Sequence, residues 1–334
     1  MERISIIGMG PIGTSIGLAL KRANLPDTEI VGSSRDRDSL TAASKMGAVD
    51  STTASLRSAM DGAQLVILDM PTTEIKDLLE VVGPVFDDGC VVTDTAPTKL
   101  SVLEWAEEYL PKGVDFIGGH PLPKKPVQGP DDADASLFEG AEYCVISSKS
   151  AGQESVSTVV NLVEKLGAKP LFLDPREHDS YAAAMTNLPL VLSSAFVTVT
   201  SGSSSWREMS RLAASEFAGY SSLAANDPAD NEAACLANPE ALVHWLDQMI
   251  TELYSYRNQI KEQSEDLLEP FVRAWEARAR WENNAVVDSA QPTLPTASES
   301  MATALVGGRL VERYRQMTGG DKKQKQNWKY LGKR

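Results

Sequence analysis

Three groups of residues have the types and spacing to do chemistry. Gly8-Met9-Gly10-Pro11-Ile12-Gly13 follows a short apolar run, Ile4-Ser5-Ile6-Ile7, and precedes a stretch of helix length. In that setting Gly8 allows a tight turn, Gly10 lets the backbone approach a diphosphate, and Gly13 lets helix and strand pack closely. The helix start then directs its free N–H groups and positive dipole end at the phosphates. Gly8, Gly10, Pro11, Ile12 and Gly13 are therefore candidate contacts to a nicotinamide dinucleotide. The next apolar run ends in Ser33-Ser34-Arg35. NAD-binding units place an acid there to hold the ribose 2′-hydroxyl. Hydroxyls and a guanidinium instead suit a 2′-phosphate. The pattern predicts NADP; NAD remains the alternative, with Asp36 as the acid. Pro71 and Thr95, just past two further apolar runs, complete the candidate cofactor set. The third group is Gly118-Gly119-His120-Pro121, where His120 has the position and ordinary pKa of a general base. The other reading of His120 is a loop histidine bonded to backbone.

These residues need a scaffold that brings strand ends together. Apolar runs at Glu29–Gly32, Leu65–Leu68, Cys90–Thr93, Asp115–Gly118, Tyr143–Ile146 and Pro170–Leu173 lack clean alternation, as strands buried on both faces do. Helical periods lie between most of them, as at Leu100–Leu110 and Ser155–Leu166. This alternation predicts an α/β Rossmann-type, doubly wound parallel sheet. Asp174-Pro175-Arg176-Glu177 reads as a helix start, and strand signals vanish after it. An all-helical second domain is expected there. Its clearest helix carries the stripe Leu242, Trp245, Leu246, Met249, Ile250 and Leu253, which is either core or a dimer interface. His178 falls in the first helical turn and reads as structural or as part of the domain junction; His244 falls on a polar face. The boundaries expected are 1–174 for nucleotide binding, 175–282 for the helical domain, and 283–334 for a linker, a short helix and a basic, solvated tail.

The chain has 334 residues, 42% hydrophobic and 23% charged, with a formal charge of −14. That composition is ordinary for a soluble globular protein and argues against nucleic acid as a partner. No apolar run approaches the roughly 20 residues of a membrane helix, and the opening residues resemble a strand rather than a leader. A cytoplasmic protein with no membrane partner is expected. Three scattered cysteines and three histidines give neither a disulfide framework nor a metal-ligand spacing. No metal is expected, and Cys90 and Cys144 read as buried reduced thiols.

Asp94-Thr95-Ala96-Pro97-Thr98-Lys99, Gly118–Pro121, Glu177-His178-Asp179, Asn187-Leu188-Pro189, Leu223-Ala224 with Asp227-Pro228, and Asn238–Leu242 follow the glycine loop in a specific order. With these pieces the chain, over about residues 1 to 280, resembles the prephenate and arogenate dehydrogenases of tyrosine biosynthesis. The resemblance implies a Rossmann domain followed by a helical dimerisation domain, and hence a homodimer acting on a small-molecule substrate. It implies oxidative decarboxylation of a cyclohexadienol to 4-hydroxyphenylpyruvate or tyrosine, with His120 accepting the ring hydroxyl proton. Three departures bear on the substrate. The family's His-Leu-Pro-His is Asn187-Leu188-Pro189-Leu190 here. Its arginine before Leu223-Ala224 is Ser222, a loss of about 2 kcal/mol or more in carboxylate binding if nothing replaces it. Its serine after the aspartate is Pro97. Thr98, Lys124, Asn187 and Ser222 are the candidate substrate residues, Lys124 and Lys125 being near enough in sequence to supply positive charge. The alternatives are a related dehydrogenase with an altered substrate, a β-hydroxyacid-type dehydrogenase, or a non-catalytic regulatory paralogue that binds NAD(P).

Overall fold

The computed structural model describes residues 2–283, apart from 126, 128–131, 149 and 227. It divides into two compact units, Met1–Gln248 and Met249–Arg334. The expected linker, short helix and basic tail beyond 283 lie outside the described residues.

The first unit holds an eight-stranded sheet, ordered β3-β2-β1-β4-β5-β6-β7-β8. The strands are β1 Glu2–Ile7, β2 Thr28–Ser33, β3 Ser51–Thr53, β4 Leu65–Leu68, β5 Val91–Asp94, β6 Asp115–Leu122, β7 Glu142–Ser147 and β8 Lys169–Phe172. All pairs are parallel except β6 with β7. The helices between strands are α1 Pro11–Ala23, α2 Arg37–Lys45, α3 Leu56–Met60, α4 Thr72–Val82, α5 Leu100–Tyr109 and α6 Gln153–Lys165. Both faces of the sheet are covered. Ile4, Ile6, Leu65 and Ile67 pack in one layer with α1 and α6. Ile7, Val66, Leu68 and Val92 pack in the other with α3, α4 and α5. Successive side chains thus enter opposite cores, which is why these strands are apolar throughout.

The strand order reverses between β1 and β4, so the loops after these strands flank one crevice, the usual ligand position in open α/β sheets. Gly8 turns there with φ +101°, and a Cβ on it would lie 1.7 Å from the Asp69 carbonyl oxygen. A Cβ on Gly13 would lie 2.4 Å from the Gly8 carbonyl oxygen. β6 differs from the sequence reading. Its parallel pairing with β5 ends at Ile117, but the antiparallel ladder with β7 carries it on to Leu122. His120 is therefore a strand residue, opposite Cys144, rather than a loop residue.

Asp174 caps the next helix, its carboxylate accepting from Arg176 N–H at 2.9 Å. That helix, α7 Pro175–Ala182, continues through a π turn at Ala183–Asn187 into α8 Leu188–Ser201. Together they make a 27-residue helix, long and apolar enough by length and composition to cross a membrane, with mean hydropathy 1.5. It is not one unbroken apolar run. His178, Asp179 and Asn187 interrupt the run, and all three are buried. Short helices follow: α9 Trp206–Met209, α10 Ser215–Ser221 and α11 Pro228–Leu236. α12 Pro239–Glu262 begins in the first unit, where Trp245 Nε1 donates to the Ser180 carbonyl at 3.1 Å. In the second unit its remainder and α13 Leu268–Glu282 bring the rings of Tyr256 and Phe271 to 5.2 Å. Of the expected stripe, Leu242 is buried, Trp245, Leu246 and Met249 are half-buried, and Ile250 and Leu253 are exposed.

The Gly8 turn gives the first prediction. Gly8→Ala combines an unfavourable φ with a backbone collision, so the variant is expected to lose more than about 2 kcal/mol of stability, read as a lower denaturant midpoint.

Candidate active site

The site grows from a buried ion pair. Lys99, at the start of α5, reaches Asp94 at the end of β5, and both side chains have 0% exposure. Lys99 Nζ also donates to the Gly119 carbonyl at 2.8 Å. Asp94 accepts from Gly119 N–H at 3.0 Å and from Ala96 N–H at 3.1 Å. Gly119 is thus held on both sides, one residue before His120. A Cβ there would lie 2.4 Å from the Asp94 carbonyl oxygen, so only glycine fits. Burial pulls Lys99 down and Asp94 up from their ordinary pKa values, and their mutual attraction opposes both shifts.

The backbone of the same lysine carries a second set of contacts. Lys99 N–H and Leu100 N–H donate to the two oxygens of Asp179 at 2.7 and 2.9 Å. A carboxylate accepting from the first turn of α5 also complements its dipole. Asp179 Oδ1 lies 2.8 Å from His178 Nδ1, and His178 Nε2 lies 2.9 Å from His120 Nδ1. With His178 neutral, this order assigns the proton positions. A carboxylate only accepts, so Nδ1 of His178 carries hydrogen and its Nε2 is the acceptor. His120 must then donate from Nδ1, which leaves the lone pair of His120 Nε2 free. Burial lowers the His120 pKa well below 6.5, and the neighbouring His178 and Lys99 add to the shift. The imidazole is neutral at working pH and ready to accept a proton.

The sequence reading missed His178, Asp179, Lys99 and Asp94 as parts of this site. His178 had one signal: it stands in a first helical turn beside an aspartate, yet it is 2% exposed. The donor atoms of His120, Cys144 and His178 also lie within 4.8 Å of one another, as metal ligands do. Both ring nitrogens of His178 are already used, by His120 and Asp179. Burial raises the Cys144 thiol to about 11, so it stays protonated.

The glycine loop joins this site through Asp69, which follows β4. Gly13 N–H donates to Asp69 Oδ2 at 2.7 Å, and Thr95 Oγ1 donates to Asp69 Oδ1 at 2.7 Å. Thr95 directly follows Asp94. Gly10 caps α1 without a side-chain bond, and a Cβ on it would meet only Asp69 Oδ2, at 3.4 Å. The Ser33 hydroxyl is buried at the end of β2 with no partner among the described residues. A diphosphate and a ribose hydroxyl fit these two features. Ser34 Oγ accepts from Asp36 N–H at 3.1 Å, while Pro71 is exposed at the start of α4. Arg35 is 77% exposed, 3.6 Å from Glu74.

The candidate substrate residues are scattered in character. Thr98 and Asn187 are buried. Asn187 Nδ2 donates to the Ala234 carbonyl at 3.1 Å, and its Oδ1 has no partner among the described residues. Lys124 is exposed, with Nζ 3.4 Å from the Cβ position of Gly140. Ser222 is exposed, its hydroxyl donating to the Gly219 carbonyl at 3.0 Å.

A base held in one tautomer, connected to a glycine loop at a sheet's switch point, suits an alcohol losing a proton as hydride departs. That is the chemistry of NAD(P)-dependent dehydrogenases. The chain belongs to the prephenate dehydrogenase family. Residues 16–171 match the model described as prephenate dehydrogenase, nucleotide-binding domain, and residues 174–274 match its dimerization domain. The chain is 30% identical over 275 residues to prephenate dehydrogenase of Lactococcus lactis subsp. cremoris, covering 81% of this chain and 75% of that protein. It is 28% identical over 280 residues to the Bacillus subtilis enzyme of the same name, covering 83% and 75%. Its fold is similar to that of a prephenate dehydrogenase from A. aeolicus solved with hydroxyphenyl propionate and NAD+, with TM-score 0.77 and 22% identity, over 84% of this chain and 98% of that one.

Two predictions follow from the relay and the ion pair. His178→Asn is expected to lower kcat about 100-fold while leaving dinucleotide affinity within about twofold. In wild type, kcat/KM falls on the acid side only below pH 6.5, since His120 must lose its proton to act. Lys99→Met leaves Asp94 buried alone and is expected to cost about 3–5 kcal/mol of stability, measured by denaturant unfolding.

Proposed function

We propose that the protein is an NADP-dependent dehydrogenase that oxidatively decarboxylates prephenate or arogenate, with His120 as the base. One observation carries the reading: the chain from Asp179 through His178 to His120 leaves a free Nε2 lone pair on a neutral, buried imidazole. His120 takes the proton of the ring hydroxyl at Nε2, and its Nδ1–H keeps its bond to His178. Positive charge arising on His120 is thereby shared toward the Asp179 carboxylate, as in other acid–base relays. The nicotinamide supplies the hydride acceptor. Aromatisation of the ring then favours loss of carbon dioxide, so the protein's task is to orient the ring and exclude water.

NADP is favoured over NAD by the end of β2. Asp36, the alternative acid for the missing carboxylate, caps α2, accepting from Asp38 N–H and Ser39 N–H at 3.0 and 3.3 Å. Ser33, Ser34 and Arg35 remain for a 2′-phosphate, with Gly8, Gly10, Pro11, Ile12 and Gly13 around the diphosphate and Pro71 and Thr95 at its margin. Thr98, Lys124, Asn187 and Ser222 are proposed to meet the substrate. Homodimerisation through the helical domain is supported by exposed apolar side chains in the second unit, where Ile250, Leu253, Tyr254 and Arg257 line a groove of about 400 Å³. A soluble, cytoplasmic enzyme is supported by the long helix, whose polar residues hydrogen-bond within the protein.

The test is the absorbance of reduced cofactor after mixing protein with NADP+ and prephenate or arogenate. Turnover is expected with one of them and is lost in His120→Asn. Arg35→Ala is expected to lower kcat/KM for NADP+ about tenfold or more and to leave NAD+ within about twofold. Strong NAD+ preference in the wild type would defeat the NADP reading.

A further inference from the structure

We infer that Asp69 is a cofactor-site residue that couples dinucleotide binding to uptake of one proton, with Thr95 as the group that accommodates that proton. The inference rests on the dinucleotide reading of the glycine loop. Its first support is position. Asp69 Oδ2 accepts from Gly13 N–H at 2.7 Å, inside the first turn of α1. Among the described residues, the same oxygen is the single heavy atom within 4 Å of the Cβ position of Gly10, chain neighbours aside. A diphosphate seated on this loop therefore meets a carboxyl group across the edge that Gly10 leaves clear. Two like charges at one partly desolvated site cannot both be kept at low cost, and the carboxyl is the one that can take a proton.

The second support is that each protonation state has complete hydrogen bonding. As a carboxylate, Asp69 Oδ1 accepts from Thr95 Oγ1 at 2.7 Å. Thr95 Oγ1 also lies 3.5 Å from the Leu68 carbonyl. A hydroxyl both donates and accepts. When Asp69 carries hydrogen on Oδ1, it donates to Thr95 Oγ1, and the threonine hydrogen turns to Leu68. Gly13 N–H keeps its bond to Oδ2 in both states. The proton comes from solvent, and no other bond changes.

The surroundings suit this exchange. Gly8 and Gly13 bring no ionisable side chain from the β1 loop or α1, and the end of β5 brings Thr95. From β7 comes Tyr143, a buried phenol with no hydrogen-bond partner among the described residues. Burial, then the nearby Asp94 and Asp69 carboxylates, keep that phenol neutral. Burial also raises the Asp69 carboxyl above its ordinary range before any cofactor arrives, against the bonds from Thr95 and Gly13.

The test uses the full chain and NADPH and NADH as probes. Their Kd values are read from nucleotide fluorescence between pH 5.5 and 9 in wild type and Asp69→Asn. The wild-type Kd is expected to rise with pH, about tenfold per unit above the carboxyl's pKa in the free enzyme. Asp69→Asn mimics the protonated acid; its curve is expected to be flatter, with binding about tenfold tighter than wild type at pH 8.5. Titration of the 2′-phosphate of NADPH is common to both proteins and cancels in the comparison. Calorimetry of NADH binding in buffers of low and high ionisation enthalpy counts protons directly in the wild type, and decides the matter even if the variant does not fold. Uptake approaching one proton is expected. Binding with no proton uptake, or equal pH slopes in the two proteins, overturns the inference alone. Absence of binding by either nucleotide overturns the dinucleotide reading and this inference with it.

Discussion

The geometry of the site depends on Lys99. Its ammonium group, fully out of water, bonds Asp94 and the carbonyl of Gly119, and its amide N–H bonds Asp179. One residue thus ties the end of β5 and the middle of β6 to the start of α5 and to α7. A buried charge left unpaired is costly by several kcal/mol, so the chain has one good arrangement here. Such pairs are weak sources of net stability, and their stronger effect is on register. Here the register is that of His120. Its neighbour Gly119 is fixed at both amide groups, and its ring is fixed by His178, which Asp179 orients. His120 is held from two directions by the two ends of one lysine.

The cofactor loop is connected to the same frame by short links. Gly13 bonds Asp69, Asp69 bonds Thr95, and Thr95 follows Asp94 in the chain. The strand order produces this adjacency. Reversal at β1 and β4 places the two loops side by side, and β5 is the next strand out. A shift in the glycine loop is therefore felt at Asp94 within three residues, which matters in a reaction that needs donor carbon, hydride acceptor and base aligned together.

What could be read from sequence follows from the range of the interactions. The glycine loop, the apolar strands and the Asp174 cap are local patterns, and each, β6 apart, lies within a residue or two of its expected place. β3, only three residues long and with no buried residue, gives no apolar run and was missed. The ladder that carries β6 past Gly118 depends on β7, more than twenty residues later, so His120 looked like a loop residue. Contacts of longer range were invisible. Asp179 bonds Lys99 across 80 positions, and His178 meets His120 across 58. A histidine in a first helical turn is usually solvated. Only the packing of α7 against the start of α5 makes this one part of a relay. Asp69 was passed over because it ends an apolar strand without belonging to any motif, and its importance comes from the loop that the switch point sets beside it.

The parts of the site differ in how firmly they are built, and the difference separates chemistry from selectivity. The proposed proton-transfer groups are buried, mutually bonded and carried by strands and by the long helix. Among the proposed substrate residues, Lys124 and Ser222 are exposed, and Ser222 sits among the short helices between Gly202 and Asn226. No arginine stands at Ser222 to fix a carboxylate by a two-pronged bond, and the serine hydroxyl that replaces it bonds its own helix. Asn187 keeps one buried oxygen without a partner among the described residues, on the π turn, a place where helices commonly carry function. An unpaired buried acceptor is costly, and a donor on the substrate would remove that cost. Of the two candidate substrates, arogenate is the one with an ammonium group to donate, and prephenate has a ketone at the same place. Asn187 Oδ1 thus offers an acceptor to a group of the proposed substrate's kind, while Ser222 offers no fixed positive charge.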